Sequence, residues 1–299
     1  MSSRTGKTPA KAWLPWTDRQ GRFSGLRAAT FALLFVPALM LLYAAWMHQL
    51  GSKPWTQAIH QTGTWTVRLL VITLAVSPFR RLFDWGKLIG IRRMLGLGVM
   101  AYALGHLSLY CIDMAFDGGL IVSEIVKRFY LTIGFVALLG LCALGATSTD
   151  GMIRRLGKNW QRLHNLIYPI AMLALLHFAL QSKIDVTEPV LMSGLFVLLM
   201  LYRGLYLWKL PISAPMLAGT AILAGLITAC LEAAWYALTS GVSAWLVFQA
   251  NADILIYQDY VSIRPAHWVV LAGLLVVVGQ ALRARKPRPP RQARQPAAA

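Results

Sequence analysis

The stretch Trp160–Leu180, WQRLHNLIYPIAMLALLHFAL, decides how the rest of the chain is read. It is almost wholly apolar, yet it carries His164 and His177, thirteen residues apart. On a helix rising ~1.5 Å per residue, the two are separated by roughly 20 Å, which places one near each end of a membrane span. An ionisable side chain inside such a span needs a reason to be there. For histidine the commonest reason besides proton relay is ligation of a metal through a neutral ring nitrogen. Two histidines at opposite depths of one helix point to haem iron on an electron path across a bilayer.

The rest of the chain agrees with a membrane setting. Of its 299 residues 57% are hydrophobic and 13% charged, and several apolar runs approach the ~20 residues that cross a bilayer. Spans are expected at about 28–48, 63–79, 94–113, 129–147, 162–181, 190–208, 215–238 and 266–282. A net charge of +18 would suggest nucleic acid in a soluble protein. Here 23 of the 29 Lys and Arg residues fall in alternate loops and the two tails, five on the opposite side, and Arg68 inside the second span. This asymmetry predicts a multi-pass membrane protein with both termini cytoplasmic, and it argues against nucleic acid as a partner. The N-terminal segment is too long and charged, and too broken by Pro15, to open a cleavable signal. Cys111, Cys142 and Cys230 lie in apolar runs without CxxC spacing and read as buried fillers.

The expected fold is an all-α polytopic transmembrane bundle, a six-helix core plus about two extra C-terminal helices. The expected organisation is a basic tail over 1–27, the core over 28–210, the extra pair over 211–282 and a basic, Pro-rich, disordered tail over 283–299. That tail would fix topology or touch anionic lipid. No nucleotide-binding glycine loop or soluble domain is present in the sequence, so oxidation of NAD(P)H would belong to a separate chain.

The third span, RRMLGLGVMAYALGHLSLYCIDM (92–114), carries His106. His106 lies roughly 18 Å above the basic edge and His177 roughly 21 Å, on spans that run in the same direction. Two neutral imidazoles at matched depth on facing helices can grip one iron axially, which favours electron transfer. His164 sits at the basic edge, and the third span offers Arg92 and Arg93 at that depth, where an arginine could hold a haem propionate or a flavin phosphate. His164 and His177 fall roughly 140° apart on an ideal helix, and Pro169 between them could change that relation. An intramembrane histidine can also simply hydrogen-bond a neighbouring helix. His48, His60 and His267 fall at the far interface and suit solvated or packing roles. Tyr102 and Tyr110 flank His106 at i−4 and i+4, so they either line a cofactor or pack. Glu232 is an intramembrane acid, a functional candidate that could equally pair locally.

Four ordered segments carry a resemblance: TGTWTVRLLVITLAVSPFRR (62–81), RRMLGLGVMAYALGH (92–106), KRFYLTIGF (127–135) and LGKNWQRLHNLIYPIAMLALLHF (156–178). Over roughly residues 58–208 the chain resembles the MsrQ (YedZ) family, within the ferric-reductase-like transmembrane superfamily. Members are haem-binding membrane subunits of periplasmic methionine sulfoxide reductase systems. The resemblance implies that the positions of His106, His164 and His177 are haem ligands, and it implies b-type haem, one or two per chain, and an FMN. It further implies electrons taken from the quinone pool or a cytosolic flavin reductase. They would pass to a molybdenum-containing periplasmic catalytic subunit, MsrP-like, that repairs oxidised proteins. On this reading the chain is an electron-transfer subunit rather than the catalytic one. Phe129 stands where the family usually has proline, and the helical pair after Pro211 exceeds the minimal core. That pair could dock a partner, shape a quinone site or only stabilise the bundle. The alternatives are a transmembrane ferric or quinone reductase without a methionine sulfoxide partner, and a cofactor-free membrane scaffold or transporter.

Overall fold

A computed structural model describes residues 14–18, 20–183, 185–252, 256–257, 260–261 and 263–284. The chain runs α1 (Gly25–Trp46), α2 (Pro54–Leu82), a 3-10 turn (Gly86–Gly90), α3 (Arg92–Asp113), α4 (Gly118–Lys127) and α5 (Phe129–Ala146). It continues through α6 (Asp150–Leu156), α7 (Lys158–His164), α8 (Ile167–Ser182), α9 (Thr187–Leu207) and α10 (Ala214–Ser240). After α11 (Ala244–Ala252) and a two-residue antiparallel pair, β1 (Ile256–Tyr257) with β2 (Tyr260–Val261), α12 (Pro265–Ala284) closes the order.

Among the described residues eight helices are long and apolar enough to cross a membrane, with Lys158–Ser182 counted as one, and they coincide with the eight expected spans. The protein is a multi-pass membrane protein of all-α class. α2 is the central post, packed against α1, α3, α8 and α9. Its threonines Thr62, Thr66 and Thr73 return their hydroxyls to carbonyls four residues back, so polar groups inside the post stay satisfied. Arg68, the cation expected inside the span, pairs with Glu188 of α9 at 2.5 Å and lies over the Trp65 ring. α1 is peripheral, and Pro37 is its one buried residue. At that proline the Tyr102 hydroxyl enters the helix ladder, accepting from Ala38 N–H at 3.0 Å and donating to the Leu34 carbonyl at 2.7 Å. Tyr102 therefore fastens α3 to α1.

The extra pair, α10 and α12, packs tightly on itself and on α9. A Cβ on Gly273 would lie 2.3 Å from Ala221 Cβ, the close backbone approach by which small residues join helices in lipid. Glu232, 2% exposed, accepts from Asn251 Nδ2 at 2.8 Å and from the Arg264 guanidinium at 2.9 Å. It pairs locally and ties α11 and the start of α12 to α10.

Three features differ from expectation. Residues 118–127, read as loop, form α4, because Asp117 caps it by accepting from Leu120 N–H. Residues 150–164, also read as loop up to the fifth span, form α6 and α7. His164 and His177 then stand on separate helices, because Pro169 has no N–H for the Asn165 carbonyl, which takes the Tyr168 N–H instead. The straight-helix spacing drawn from 160–180 gives way to a break at Asn165–Leu166. The expected disordered tail lies outside the described residues from 285 onward.

Candidate functional site

Every sequence-chosen site residue lies in α3, α7 or α8, and the structure sorts them into two places. His106 and His177 meet in the half of the bundle away from the basic loops, with ring centroids 6.3 Å apart and planes at 81°. Two imidazole–metal bonds of about 2.0 Å on opposite sides of one ion put the ring centres roughly 6 Å apart. The observed centroid separation matches that spacing.

Both rings are held the same way. His106 Nδ1 lies 2.8 Å from the Ile59 carbonyl of α2, and His177 Nδ1 lies 2.7 Å from the Tyr130 carbonyl of α5. A carbonyl only accepts, so Nδ1 carries the proton in each ring and Nε2 keeps its lone pair. This is the outer hydrogen bond that orients a metal-ligating histidine. A glycine stands four residues beyond each of these carbonyls, Gly63 after Ile59 and Gly134 after Tyr130. A Cβ on Gly63 would lie 3.1 Å from His106 Cε1 and Nδ1, and one on Gly134 would lie 2.7 Å from the same atoms of His177. Each glycine therefore clears the helix face through which an imidazole reaches the backbone.

A cavity of about 310 Å³ runs between α2, α3, α4, α5 and α8, and both histidines line it. Its walls are apolar, with Val67, Leu107, Phe135 and Leu138 among them, while His60, Tyr110, Glu124 and Arg128 also contribute. Of the two tyrosines flanking His106, Tyr110 lines the cavity and Tyr102 does not. His60, read as an interface histidine, is exposed and also lines it. Arg128 pairs with Glu124 at 2.5 Å and reaches the Tyr130 hydroxyl at 3.2 Å, which steadies the strand of chain that presents the Tyr130 carbonyl.

His164 stands apart, at the basic end. Its ring stacks on Trp160 with centroids 4.0 Å apart, and its Nε2 lies 3.3 Å from Thr147 Oγ1. Thr147 spends its proton on the Ala143 carbonyl at 2.8 Å, so toward His164 it accepts, and Nε2 holds the proton there. Trp160 is fixed in turn by donating to the Thr147 carbonyl at 2.9 Å. Arg92 opens α3 at the same end, while Arg93 is drawn away into an ion pair with Asp150. Among the described residues no group of three or more His, Cys, Asp or Glu side chains gathers as a metal site.

Sequence reasoning singled out the three histidines and passed over the groups that hold them in place. Gly63 and Gly134 sit within the segments TGTWTVR and KRFYLTIGF, and their signal was a glycine inside an apolar helix, which costs helix stability and needs a packing reason. Thr147 and Trp160 carried no such signal.

Comparison with known proteins follows this geometry. The family profile described as "Ferric reductase like transmembrane component" matches residues 28–175. A protein of Xanthomonas campestris pv. campestris (strain B100), named "Protein-methionine-sulfoxide reductase heme-binding subunit MsrQ", is 44% identical over 190 residues, covering 61% of this chain and 86% of its own length. The protein of the same name from Xanthomonas axonopodis pv. citri (strain 306) is 47% identical over 161 residues, 54% of this chain and 72% of its own. That from Herminiimonas arsenicoxydans is 39% identical over 197 residues, 63% of this chain and 90% of its own. No solved structure matches. With the greater part of these relatives' length matched at this identity, the chain belongs to the MsrQ family of ferric-reductase-like transmembrane proteins.

Proposed function

We propose that this protein is the haem b membrane subunit of a methionine sulfoxide reductase system and carries electrons through the bundle to a periplasmic catalytic partner. The observation that supports it most is the paired, carbonyl-held, glycine-cradled imidazoles of His106 and His177 on one apolar cavity. On this reading the two Nε2 atoms would hold the haem iron, the Ile59 and Tyr130 carbonyls fix both tautomers, and the apolar walls limit solvent access. Bound haem supplies one-electron redox chemistry, and two protein ligands leave no open position for other reactions. The relatives' names, heme-binding subunits of protein-methionine-sulfoxide reductase, supply the partner class.

His164 serves an inner haem or an alternative ligand state, with Arg92 at its polar edge for a propionate or a flavin phosphate. Ligation there uses Nδ1 or displaces the Thr147 contact. Arg93 joins that edge only by leaving Asp150. The FMN of the family resemblance belongs to this end, where the quinone pool or a cytosolic flavin reductase would deliver electrons. Both termini are assigned to the cytoplasm on the positive-inside rule.

The test is an oxidised-minus-reduced visible spectrum of detergent-purified protein with haem quantified per chain, repeated on His106→Ala, His164→Ala and His177→Ala. The expected result is a low-spin b-type spectrum lost with His106 or His177. Folded protein without haem sinks the reading. Haem with fast ferric or quinone reduction, and no electron delivery to a methionine sulfoxide reductase, favours the alternative of a partner-free reductase.

A further inference from the structure

α4 joins the end of α3 to the start of α5 on the side away from the basic loops, and its ten residues present three different faces. On an α-helix residues four apart lie one above the other, and each single step turns about 100°. Ile121 and Ile125 are half-buried, as is Glu124, and of these Glu124 and Ile125 line the histidine cavity. One step around the helix, Val122 and Val126 are 62% and 72% exposed. A second step brings the polar pair Ser123 and Lys127, with Lys127 exposed. Two contacts with the chain that follows fix this rotation. Glu124 pairs with the Arg128 guanidinium at 2.5 Å, and the Ile125 carbonyl accepts from the Thr132 hydroxyl at 2.6 Å.

The exposed valines have apolar company at both ends of the helix. Phe116, 71% exposed, precedes the Asp117 cap, and Phe129, 72% exposed, opens α5. Ala115 and Phe116 both have positive φ, 52° and 58°, a conformation that a bulky side chain resists. Phe129 and Val136, the latter 49% exposed, lie seven residues apart on one face of α5, so the outward apolar surface of that span runs up to α4. Depth identifies the medium that meets this surface. α5 has 18 residues and rises roughly 27 Å, against a hydrocarbon thickness of ~30 Å. Its first turn therefore stands at the hydrocarbon boundary, and only Arg128 separates that turn from α4. A face meant for a protein in the aqueous phase would have to project above the boundary, and α5 is too short to lift it there. Interfacial helices instead lay their apolar side in lipid and turn lysine toward headgroups and water.

We propose that α4 lies in the membrane interface on the side away from the basic loops, with Phe116, Val122, Val126 and Phe129 against lipid acyl chains. Ser123 and Lys127 then face water, and Glu124 and Ile125 face the cavity. The wall of the histidine cavity at this point is one helix thick, with lipid as its outer layer. This placement follows from exposure, rotation and span length, and it stands whether or not haem fills the cavity.

The full-length protein is reconstituted in phospholipid nanodiscs at one chain per disc, so that neither a second copy nor another protein can cover α4. The photoreactive residue p-benzoylphenylalanine is placed singly at Val122, Val126, Ser123 or Lys127, illuminated, and the chain is weighed by mass spectrometry. Adducts of phospholipid mass are expected at Val122 and Val126 in several-fold higher yield than at Ser123 and Lys127. Smaller substitutions give a second measurement on the same discs. Val122→Cys, Val126→Cys, Ser123→Cys and Lys127→Cys react with a water-soluble maleimide, and the unmodified chain with Cys111, Cys142 and Cys230 sets the background. The thiolate is the reacting form and needs water, so the two valine positions should react on the order of tenfold more slowly than Lys127→Cys. Equal adduct yields at all four positions, or maleimide reaction at the valine positions as fast as at Lys127→Cys, overturns the placement. The face would then stand in water and await a protein partner. Lipid adducts and slow reaction at all four positions also overturn it, because the helix would be submerged without a water-facing flank.

Discussion

The two histidine environments differ in what each ring does with its nitrogens. At the far end His106 and His177 give Nδ1–H to backbone carbonyls at 2.8 and 2.7 Å, and both Nε2 lone pairs stay available. At the basic end His164 lies flat on Trp160, and Thr147 meets its Nε2. The first arrangement is preorganised, because backbone atoms of two other helices set the rings before any ligand arrives. The second is a packed ring that must change a contact to ligate through Nε2. A histidine's position in a span therefore says less about readiness to bind metal than the partner of its other nitrogen.

The sharpest way to break this comparison is to refill the glycine cradle while keeping all three histidines. Gly134→Ala puts a methyl 2.7 Å from the His177 ring, and His177 must turn off the Tyr130 carbonyl. The expected cost is about 10–100-fold in haem affinity, in the range of lost outer-shell support, read by haem titration of the apoprotein. An affinity equal to wild type means that the carbonyl contact does not position the ligand. Gly63→Ala meets His106 at 3.1 Å, a contact that yields by a few tenths of an ångström. Its expected loss is below about 10-fold in the same titration, and a loss exceeding that of Gly134→Ala reverses the ranking of the two cradles.

At the basic end, His164→Ala should leave the low-spin signal of the His106–His177 pair in place. Loss of the whole spectrum in folded protein would show that the two regions do not act separately. The smallest effect belongs to Arg93→Gln. Its ion pair with Asp150 is exposed, with side chains 41% and 68% accessible, so removal should cost less than about 1 kcal/mol in denaturant unfolding. A larger loss would identify the α3–α6 contact as a clamp on the basic end.

Much of this was readable before any coordinates. Span count, helical class and the matched depth of His106 and His177 follow from apolar run length, loop charge and helix rise. These are one-dimensional quantities that a membrane's fixed thickness turns into positions. What escaped had no such ruler. α4 was hidden because GGLIVSEIVK is too short to count as a span, and its cap Asp117 looked like a loop residue. The Asn165 break was hidden because Pro169 predicts a disturbance without saying which carbonyl it orphans or how far upstream the chain yields. Gly63 and Gly134 were legible as anomalies but not as cradles, because their meaning depends on which neighbouring helix turns a histidine toward them. Arg203 stands 129 residues beyond Leu74, and it and Tyr206 gain their partners only when α9 returns beside α2.

The repeated unit at the two ring-holding carbonyls has a use outside this protein. In any α-helix the carbonyl of residue i is bonded to the N–H of residue i+4, yet it keeps a second lone pair. Removing the side chain at i+4 opens that lone pair sideways, as Gly63 does for Ile59 and Gly134 for Tyr130. For an engineer of artificial helical bundles this is a two-residue graft, one glycine on the host helix and one histidine across from it. The anchoring acceptor is already supplied by the peptide backbone, so an oriented imidazole can be written into an apolar interface without importing any other polar side chain.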